Sequence, residues 1–274
     1  MDSAIDNDEG LGDFILEISR VVGAGFLRNA VRESGVTCRV CATPLELNRN
    51  YVECFGCREV RLAAKRQGAG LADLVVPLFY ALKGAQSGHL MHSYKTAAVT
   101  KAGVDQLGLL LSTALNLHEP CIVSAVGRPL SAWASVPSTR TPGRDHPIRR
   151  IAARSLKYTG LPEIVMFPGP GFTRTPREFL PQLWMVADQD LTGHHVLLID
   201  DTWTTGSHAQ SASAALRSAG ATAVTVLVLA RWLTTTWSPT QRFVRERLNE
   251  DYDILSCPVS GTRCALPGIS DAPF

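Results

Sequence analysis

The strongest indication of the fold of this chain is Val196-Leu-Leu-Ile-Asp200-Asp201-Thr-Trp-Thr-Thr-Gly206-Ser207. Its apolar first half predicts a buried strand, and two adjacent carboxylates follow where that strand ends. A turn rich in hydroxyl groups and glycine comes next, and it leads into the alanine-rich segment 207–219, which predicts a helix closed by Gly220. This order of strand, turn and helix indicates an α/β domain, in which ligands bind at the carboxyl ends of the strands.

The same alternation continues on both sides of this stretch and predicts a parallel sheet flanked by helices. Strands are predicted at 133–136, 164–167, 195–200 and 222–229, and helices at 14–32, 71–86, 103–117, 147–156 and 238–250. The domain organisation predicted from this pattern is an acidic tail and helix (1–36), a zinc knuckle (37–60), a helical connection (61–118), the α/β domain (119–235), and a C-terminal helix and tail (236–274).

Length and composition exclude several classes of protein. A chain of 274 residues with 45% hydrophobic residues is not globally disordered. Its net charge of +2 argues against nucleic-acid binding through overall charge, although a local basic patch stays open. The most apolar run, 221–230, is too short to span a bilayer. The N-terminus is acidic where a secretory signal is basic, so we expect a cytoplasmic protein without a membrane span, with oligomerisation possible.

Four of the seven cysteines form two Cys-x-x-Cys pairs, Cys38/Cys41 and Cys54/Cys57, separated by twelve residues. Each pair can place two thiolates on one edge of a tetrahedral ion, so the pattern predicts a zinc site closed by four cysteines, which holds the fold and performs no chemistry. The alternative is a pair of redox dithiols.

Cys257 and Cys264, near the C-terminus, are expected to be two free buried thiols. A second metal site would need two further ligands, and the sequence pattern identifies none.

The turn after the acidic pair is suited to a phosphate, because it offers backbone N–H groups, hydroxyls and a helix N-terminus. The two carboxylates would repel that phosphate, so they are suited instead to hydroxyl groups beside it or to magnesium. A sugar phosphate with vicinal hydroxyls satisfies both halves of the motif. Gly206 allows the backbone to approach such a ligand closely.

The acidic pair with its strand and helix resembles the phosphoribosyl pyrophosphate motif of type I phosphoribosyltransferases. The cysteine knuckle, Tyr94-Lys95, Ser135-Val-Pro-Ser-Thr-Arg140 and the acidic motif also come in the order seen in the ComF (competence protein F-like) family. Trp203 and Ala209-Gln-Ser-Ala resemble its actinobacterial branch. The resemblance covers about residues 37–232 and implies a type I phosphoribosyltransferase-like parallel sheet flanked by helices and preceded by a small zinc knuckle.

The resemblance also implies roles for individual residues. Asp200, Asp201 and Arg140 would be catalytic, the two aspartates by binding the ribose hydroxyls. Ser138 and Thr139 would form the pyrophosphate loop together with Arg140. Magnesium, arriving with phosphoribosyl pyrophosphate, would bridge the pyrophosphate and the ribose. The residues implied in binding the 5-phosphate are Thr204, Thr205, Gly206, Ser207 and His208.

The chain departs from the family pattern in three respects. His208 stands where such turns commonly have a Thr or Ser, the turn Gly143-Arg-Asp-His-Pro147 replaces Arg-Gly-Phe-Asn, and no segment resembles a nucleobase hood. Three hypotheses remain. The first is a magnesium-dependent phosphoribosyltransferase acting on an unidentified nucleophile. The second is a non-catalytic protein of DNA uptake or recombination, with single-stranded DNA or DNA-processing proteins as partners of the basic segment 139–158. The third is a sensor of phosphoribosyl pyrophosphate.

Overall fold

The computed structural model describes residues 3–47, 49–95, 101–138, 146–172, 178–187 and 189–264, without the side chains of 3–11. The described strands are β1 (Leu74–Leu82), β2 (Ala132–Ser135), β3 (Glu163–Ile164), β4 (Met166–Pro168), β5 (Trp184–Val186), β6 (His195–Trp203) and β7 (Ala223–Leu233). Five of them form a parallel sheet in the order β1-β7-β6-β2-β3. β4 and β5 form a separate antiparallel pair.

Helices pack on both faces of this sheet. They are α1 (Ser3–Gly23), α2 (Phe55–Arg66), α3 (Gln86–Ser93), α4 (Lys101–Val126), α5 (Pro147–Ser155), α6 (Ser207–Ser218) and α7 (Ser238–Arg247). β6 shows why two layers form, since its alternate side chains enter different cores. Leu197 and Ile199 pack with α4 and α5, whereas Val196 and Leu198 pack with the alanine face of α6. The predicted parallel sheet flanked by helices is confirmed.

The helix predicted at 71–86 is wrong, because Leu74–Leu82 is the edge strand β1, which lies within the segment predicted as a helical connection. A short apolar run can be a buried strand or a buried helix, and periodicity does not separate the two. Pro77 donates no hydrogen bond, and a strand at the edge of a sheet tolerates it. The outer side of β1 pairs with residues 28–30, where Ala30 N donates to Leu78 O and Tyr80 N donates to Arg28 O.

Other sequence predictions shift at their boundaries. The first helix begins at Ser3 and ends at Gly23, so residues 24–32 are not helical. The strand predicted at 164–167 is divided between β3 and β4, which belong to different sheets. The helix predicted at 103–117 continues to Val126. The helix at 147–156 and those after residue 200 are confirmed to within a few residues.

α4 is the one helix in the described part of the chain that is long and apolar enough to cross a membrane by length and composition. The buried helix of a globular core passes the same test. Leu107, Leu110, Leu111 and Ile122 on α4 belong to the core between the helices and the sheet.

Candidate functional site

The two aspartates of the motif lie at the carboxyl end of β6, beside the end of β2. Ser135 pairs with Ile199, and Val136 N donates to Ile199 O at 2.9 Å. The chain segment that contains Ser138 therefore leaves the sheet at the edge where Asp200 and Asp201 stand. Thr139 and Arg140, expected in the same loop, lie outside the described residues.

Asp201 is buried and already carries partners. Its Oδ2 accepts a hydrogen bond from the Tyr94 hydroxyl and an ion pair from Lys95 Nζ, and His146 Nε2 lies 3.9 Å from the same oxygen. Burial by itself would raise the pKa of Asp201, but the Lys95 charge and hydrogen bonds from Lys95 and Tyr94 outweigh it and lower that pKa. Asp201 is therefore held as a carboxylate before any ligand arrives.

Asp200 has the opposite electrostatic environment. Burial and the neighbouring charge of Asp201 raise its pKa to about 7, although the backbone N–H of Asp201 donates to its Oδ1 at 2.8 Å. The two adjacent carboxyl groups thus differ in charge: Asp201 is ionised, whereas Asp200 gains or loses its proton near neutral pH. This separation leaves Asp200 sensitive to any ligand that supplies positive charge.

The turn at Thr204–Ser207 presents a helix N-terminus. Gly206 is the N-cap of α6 in the left-handed conformation (φ +82°), and no side chain caps the helix there. Thr205 Oγ1 lies 3.0 Å from Ser207 Oγ, so two hydroxyls meet at this helix end. Ser207 is buried and Thr204 is exposed. The structure thus brings together the hydroxyls and N–H groups that the sequence assigned to a phosphate site.

Trp203 packs beneath this turn, and only 2% of its surface is exposed. A Cβ placed on Gly206 would lie 2.1 Å from Cζ2 of the indole. The close approach that requires a glycine here is therefore to Trp203. The indole Nε1 is buried and has no hydrogen-bond partner among the described residues.

Arg231, near the end of β7, fixes the backbone of the turn. Its Nη1 donates to Trp203 O at 2.7 Å and to Thr204 O at 3.1 Å. The side chain is buried, so these bonds are shielded from water. The sequence prediction missed Arg231 because the strand was expected to end at residue 229.

His208 lies in the first turn of α6 next to β5. Its ring packs edge-on against Trp184 with centroids 6.4 Å apart, and Trp184 Nε1 donates to its carbonyl at 3.3 Å. This residue is in place beside the turn, and aromatic packing orients it.

The four cysteines of the predicted knuckle converge in space. Cys38 and Cys41 come from a turn, Cys54 is the N-cap of α2 and Cys57 lies in its first helical turn. All four Sγ atoms lie within 4.8 Å of one another, and Cys41 Sγ is 3.8 Å from Cys54 Sγ. Cys54 N donates to Cys38 Sγ at 3.3 Å, a bond that suits a thiolate. The donor set fits a structural zinc ion.

The knuckle lies close to the candidate site. A Cβ placed on Gly56, between the second pair of cysteines, would lie 3.7 Å from the carbonyl oxygen of Thr205. The second pair of cysteines is therefore a near neighbour of the turn.

The basic helix α5 carries several ion pairs. Arg149 binds Glu163 with Nε 2.6 Å from Oε1, and Arg154 Nη1 lies 3.5 Å from Asp105. Arg149 is therefore tied to β3, whereas Arg154 is largely exposed, so two cations of the segment 139–158 are paired with carboxylates of the chain itself.

Lys95 and His146 are site residues to which the sequence analysis gave no role. The signal for Lys95 was the Tyr94-Lys95 pair, which follows α3 and meets Asp201 across the sheet edge. His146 caps α5, where its Nδ1 accepts from Ile148 N at 3.3 Å and its Nε2 faces the aspartate.

His195, at the start of β6, is buried although it is a polar residue. Its two ring nitrogens meet Arg128 O and Thr225 Oγ1, each at 2.8 Å.

Comparisons with known proteins give a similarity to solved structures. No family model matches the chain, and no curated relative matches it. Among solved structures, the chain is similar to adenine phosphoribosyltransferase from Leishmania tarentolae, with 15% identity and a TM-score of 0.33. The match covers 54% of this chain and 65% of the enzyme, so it spans less than two thirds of that protein's length.

Replacement of Cys54 by Ser tests the metal at the knuckle. We expect Cys54→Ser to lower the zinc content by about one ion per chain and to lower the melting temperature, because a structural zinc site contributes folding free energy. Metal analysis and thermal unfolding measure the two effects. The control is Phe55→Ser, which changes an exposed neighbour and should keep the zinc. An unchanged zinc content in Cys54→Ser would mean that the metal is absent from this cluster.

Gly206→Ala tests the contact with Trp203, and Gly84→Ala is its matched control. Both glycines have nearly the same φ (+82° and +84°), but nothing lies within 4 Å of a Cβ at Gly84. The backbone conformation should cost each variant roughly 1–2 kcal/mol, and overpacking against the indole should cost Gly206→Ala about 1–3 kcal/mol more. Denaturant unfolding measures both. Equal losses would show that the indole is not held in place.

The raised pKa of Asp200 predicts a stability that depends on pH. Because the folded-state pKa is above that of the unfolded chain, ionising Asp200 destabilises the fold. The penalty builds up as pH rises from the unfolded-state pKa of an aspartate, about 4, to the folded-state pKa of about 7, and it stays constant at higher pH. Asp200→Asn removes it. We expect the melting temperature of Asp200→Asn, relative to the parent, to be higher by several degrees at about pH 8 than at about pH 5. Asp13→Asn, at an exposed position on α1, should show no such difference, and a flat profile for Asp200→Asn would contradict the assignment.

Proposed function

We propose that this chain binds phosphoribosyl pyrophosphate with magnesium at the carboxyl end of β6 and transfers the phosphoribosyl group to a nucleophile. The observation that carries the proposal is the arrangement of a carboxylate pair near the end of β6, followed after a short turn by the N-terminus of α6 with a left-handed glycine. The first feature suits vicinal hydroxyls and the second suits a phosphate, and a ribose 5-phosphate presents both groups a short distance apart.

The electrostatics of the pair support hydroxyl binding. Asp201 is kept ionised by Lys95 and Tyr94, so it can accept hydrogen bonds without first losing a proton. Asp200 becomes an equally strong acceptor once its proton leaves. Hydrogen bonds to a charged acceptor are stronger than those to a neutral one. The two aspartates can therefore hold the ribose hydroxyls while the charge on the ribose changes during the reaction.

The turn supports phosphate binding through the groups that it gathers at a helix N-terminus. The first N–H groups of α6 and the hydroxyls of Thr205 and Ser207 lie around Gly206, and Ser207 N donates to Thr205 Oγ1 at 3.5 Å. Arg231 holds the carbonyls of Trp203 and Thr204, which keeps these acceptors away from an anion.

The residues present fit a magnesium ion that is held largely by substrate oxygens. Asp200 offers a carboxylate, whereas Asp201 has Lys95 at its Oδ2, which makes that oxygen unsuited to a cation. When bound, magnesium would neutralise the pyrophosphate leaving group.

In the proposed reaction the bond between ribose C1 and the pyrophosphate oxygen breaks, and pyrophosphate leaves with the electron pair. A bond forms between C1 and the nucleophile, which gives up a proton. The contributions of the chain are to position the ribose through Asp200 and Asp201, to fix the phosphate at the turn, and to stabilise charge in a buried site. Ser138, Thr139 and Arg140 remain proposed contacts of the pyrophosphate.

Membership of the ComF family, a cytoplasmic location and a role in competence are part of the same proposal. The order of the knuckle, Tyr94-Lys95 and the acidic motif supports it, and the contact of Tyr94 and Lys95 with Asp201 gives these residues a role in the site. A protein that senses phosphoribosyl pyrophosphate without turnover uses the same contacts and is the second candidate. It is favoured by the absence of a nucleobase hood in the sequence.

Calorimetric titration with phosphoribosyl pyrophosphate tests the proposal, with and without magnesium. We expect binding to require magnesium and Asp201→Asn to weaken it by about 1–3 kcal/mol, because the carboxylate that accepts the hydroxyls is lost. Pyrophosphate release in the presence of candidate nucleobases then separates an enzyme from a sensor.

The matched control for Asp201→Asn is Asp190→Asn, at an exposed position after β5 that does not belong to the site. It should bind like the parent. The proposal fails if phosphoribosyl pyrophosphate does not bind, or if Asp201→Asn binds it as tightly as the parent does. Binding without pyrophosphate release would leave the sensor as the function of this site.

A further inference from the structure

A second cluster of metal-binding side chains lies outside the site described above. His118 and Cys121 on α4 meet Cys257 and Cys264 near the C-terminus, and their ligand atoms lie within 4.8 Å of one another. With this cluster, all seven cysteines of the chain fall into two groups, four at the knuckle and three here. The expectation that Cys257 and Cys264 lack two further ligands is therefore wrong, because α4 supplies them.

The turn at 257–264 repeats the backbone of the zinc knuckle turn. At the knuckle, Cys38 N donates to Thr43 O at 2.8 Å and Ala42 N donates to Cys38 O at 2.9 Å. In the second turn, Cys257 N donates to Thr262 O at 2.9 Å and Gly261 N donates to Cys257 O at 2.9 Å, with the same residue offsets.

The repetition extends to the flanking residues. The bridge between Thr37 and Pro44 has its equivalent between Ser256 and Arg263. The fifth residue of each turn has a positive φ, +56° at Ala42 and +80° at Gly261. The turn that carries Cys38 at the knuckle therefore has a second copy at Cys257, with the same backbone hydrogen bonds.

The two turns differ in where the second ligand stands. Ser260 occupies the position that Cys41 holds at the knuckle, and Ser260 N donates towards Cys257 Sγ at 3.5 Å. The second thiol comes instead from Cys264, at the end of the turn, where Cys264 N donates to Leu255 O at 2.8 Å. A search for paired Cys-x-x-Cys motifs misses this arrangement.

In both clusters a helix supplies the other two ligands three residues apart. Cys54 and Cys57 do so at the start of α2, and His118 and Cys121 do so on α4, since residues at i and i+3 share a helix face. His118 Nε2 lies 2.9 Å from Ile254 O, and because a carbonyl only accepts, this nitrogen carries the proton. The other nitrogen, Nδ1, lies 3.4 Å from Cys264 Sγ with its lone pair available.

The distances match a tetrahedral zinc ion and exclude an existing disulfide. Zinc bond lengths imply about 3.8 Å between two sulfur ligands and about 3.6 Å between a sulfur and a nitrogen. Cys121 Sγ is 3.5 Å from Cys264 Sγ, far longer than a disulfide bond, and all the cysteines are free. His118 and Cys257 are buried.

We propose that His118, Cys121, Cys257 and Cys264 bind a second structural zinc ion, which fastens the C-terminal segment to α4. Three thiolates and one neutral imidazole form one of the usual donor sets for structural zinc. The site does not depend on the proposed sugar-phosphate activity.

Arg32 lies between the two clusters and supports the assignment. Its Nε donates to Pro258 O at 2.6 Å and its Nη1 donates to Arg39 O at 3.0 Å, and these two residues directly follow Cys257 and Cys38. A guanidinium placed against both turns is stabilised when each turn carries thiolates, since the thiolates outweigh the charge of the metal.

Metal analysis of the full chain, purified under reducing conditions without added metal, tests the proposal. We expect about two zinc ions per chain for the parent, and about one each for Cys257→Ser and Cys54→Ser, because each variant breaks one closed site. Ser260→Ala is the matched control, since it alters the same turn at a position that supplies no ligand, and it should keep both ions.

A thiol titration of the untreated parent provides a readout that does not require a variant to fold. Cys121 and Cys264 are partly exposed, so they should react quickly unless a metal holds them. We expect no fast-reacting thiol before a chelator is added. About one zinc ion in the parent together with three reactive thiols, or together with a Cys121–Cys264 disulfide in peptide mapping, would overturn the proposal.

Discussion

Two adjacent carboxylates at the buried end of β6 impose the constraint on which the rest of the site depends. Both cannot be ionised there without a compensating charge. Lys95 supplies this charge at Asp201, and Tyr94 adds a hydrogen bond to the same oxygen. Both residues directly follow α3 in the chain. One carboxylate is thereby fixed in its charged form, and Asp200 is left with a pKa near neutrality. The repulsion between the two carboxylates therefore acts mainly on the ionisation of Asp200, and a ligand that carries positive charge would reduce it.

The turn that follows has neighbours in β7 and in the cysteine knuckle. Arg231 anchors the carbonyls of Trp203 and Thr204 from β7, and Gly56 of the cysteine knuckle lies close to the carbonyl of Thr205. A zinc ion closed by four cysteines has no open position for chemistry. Zinc bound at the knuckle, as proposed, would fix the segment that contains Gly56, which is a neighbour of the turn.

The sequence was informative where the contacts are local. The strand β6, the helix that follows its turn, and the convergence of the paired cysteines depend on short stretches of sequence, and these were predicted correctly. The edge strand β1 was mistaken for a helix, because an apolar run with Pro77 gives no periodic signal. Contacts between distant residues could not be derived. Tyr94 meets Asp201 across 107 residues, and Cys121 meets Cys264 across 143. Spacing along the chain carries no information about such pairs.

Both cysteine clusters are linked to the edge strand β1 through Arg32. An edge strand exposes unpaired N–H and C=O groups that can recruit other chains. Here residues 28–30 cover part of that edge through Leu78 and Tyr80, and Arg32 donates to Val75 O on the same strand. The same guanidinium binds a carbonyl in each of the two cysteine turns. With zinc bound at both clusters as proposed, the cover of β1 would be tied to two rigid turns, so that losing either metal would weaken the protection of the edge as well as the turn itself.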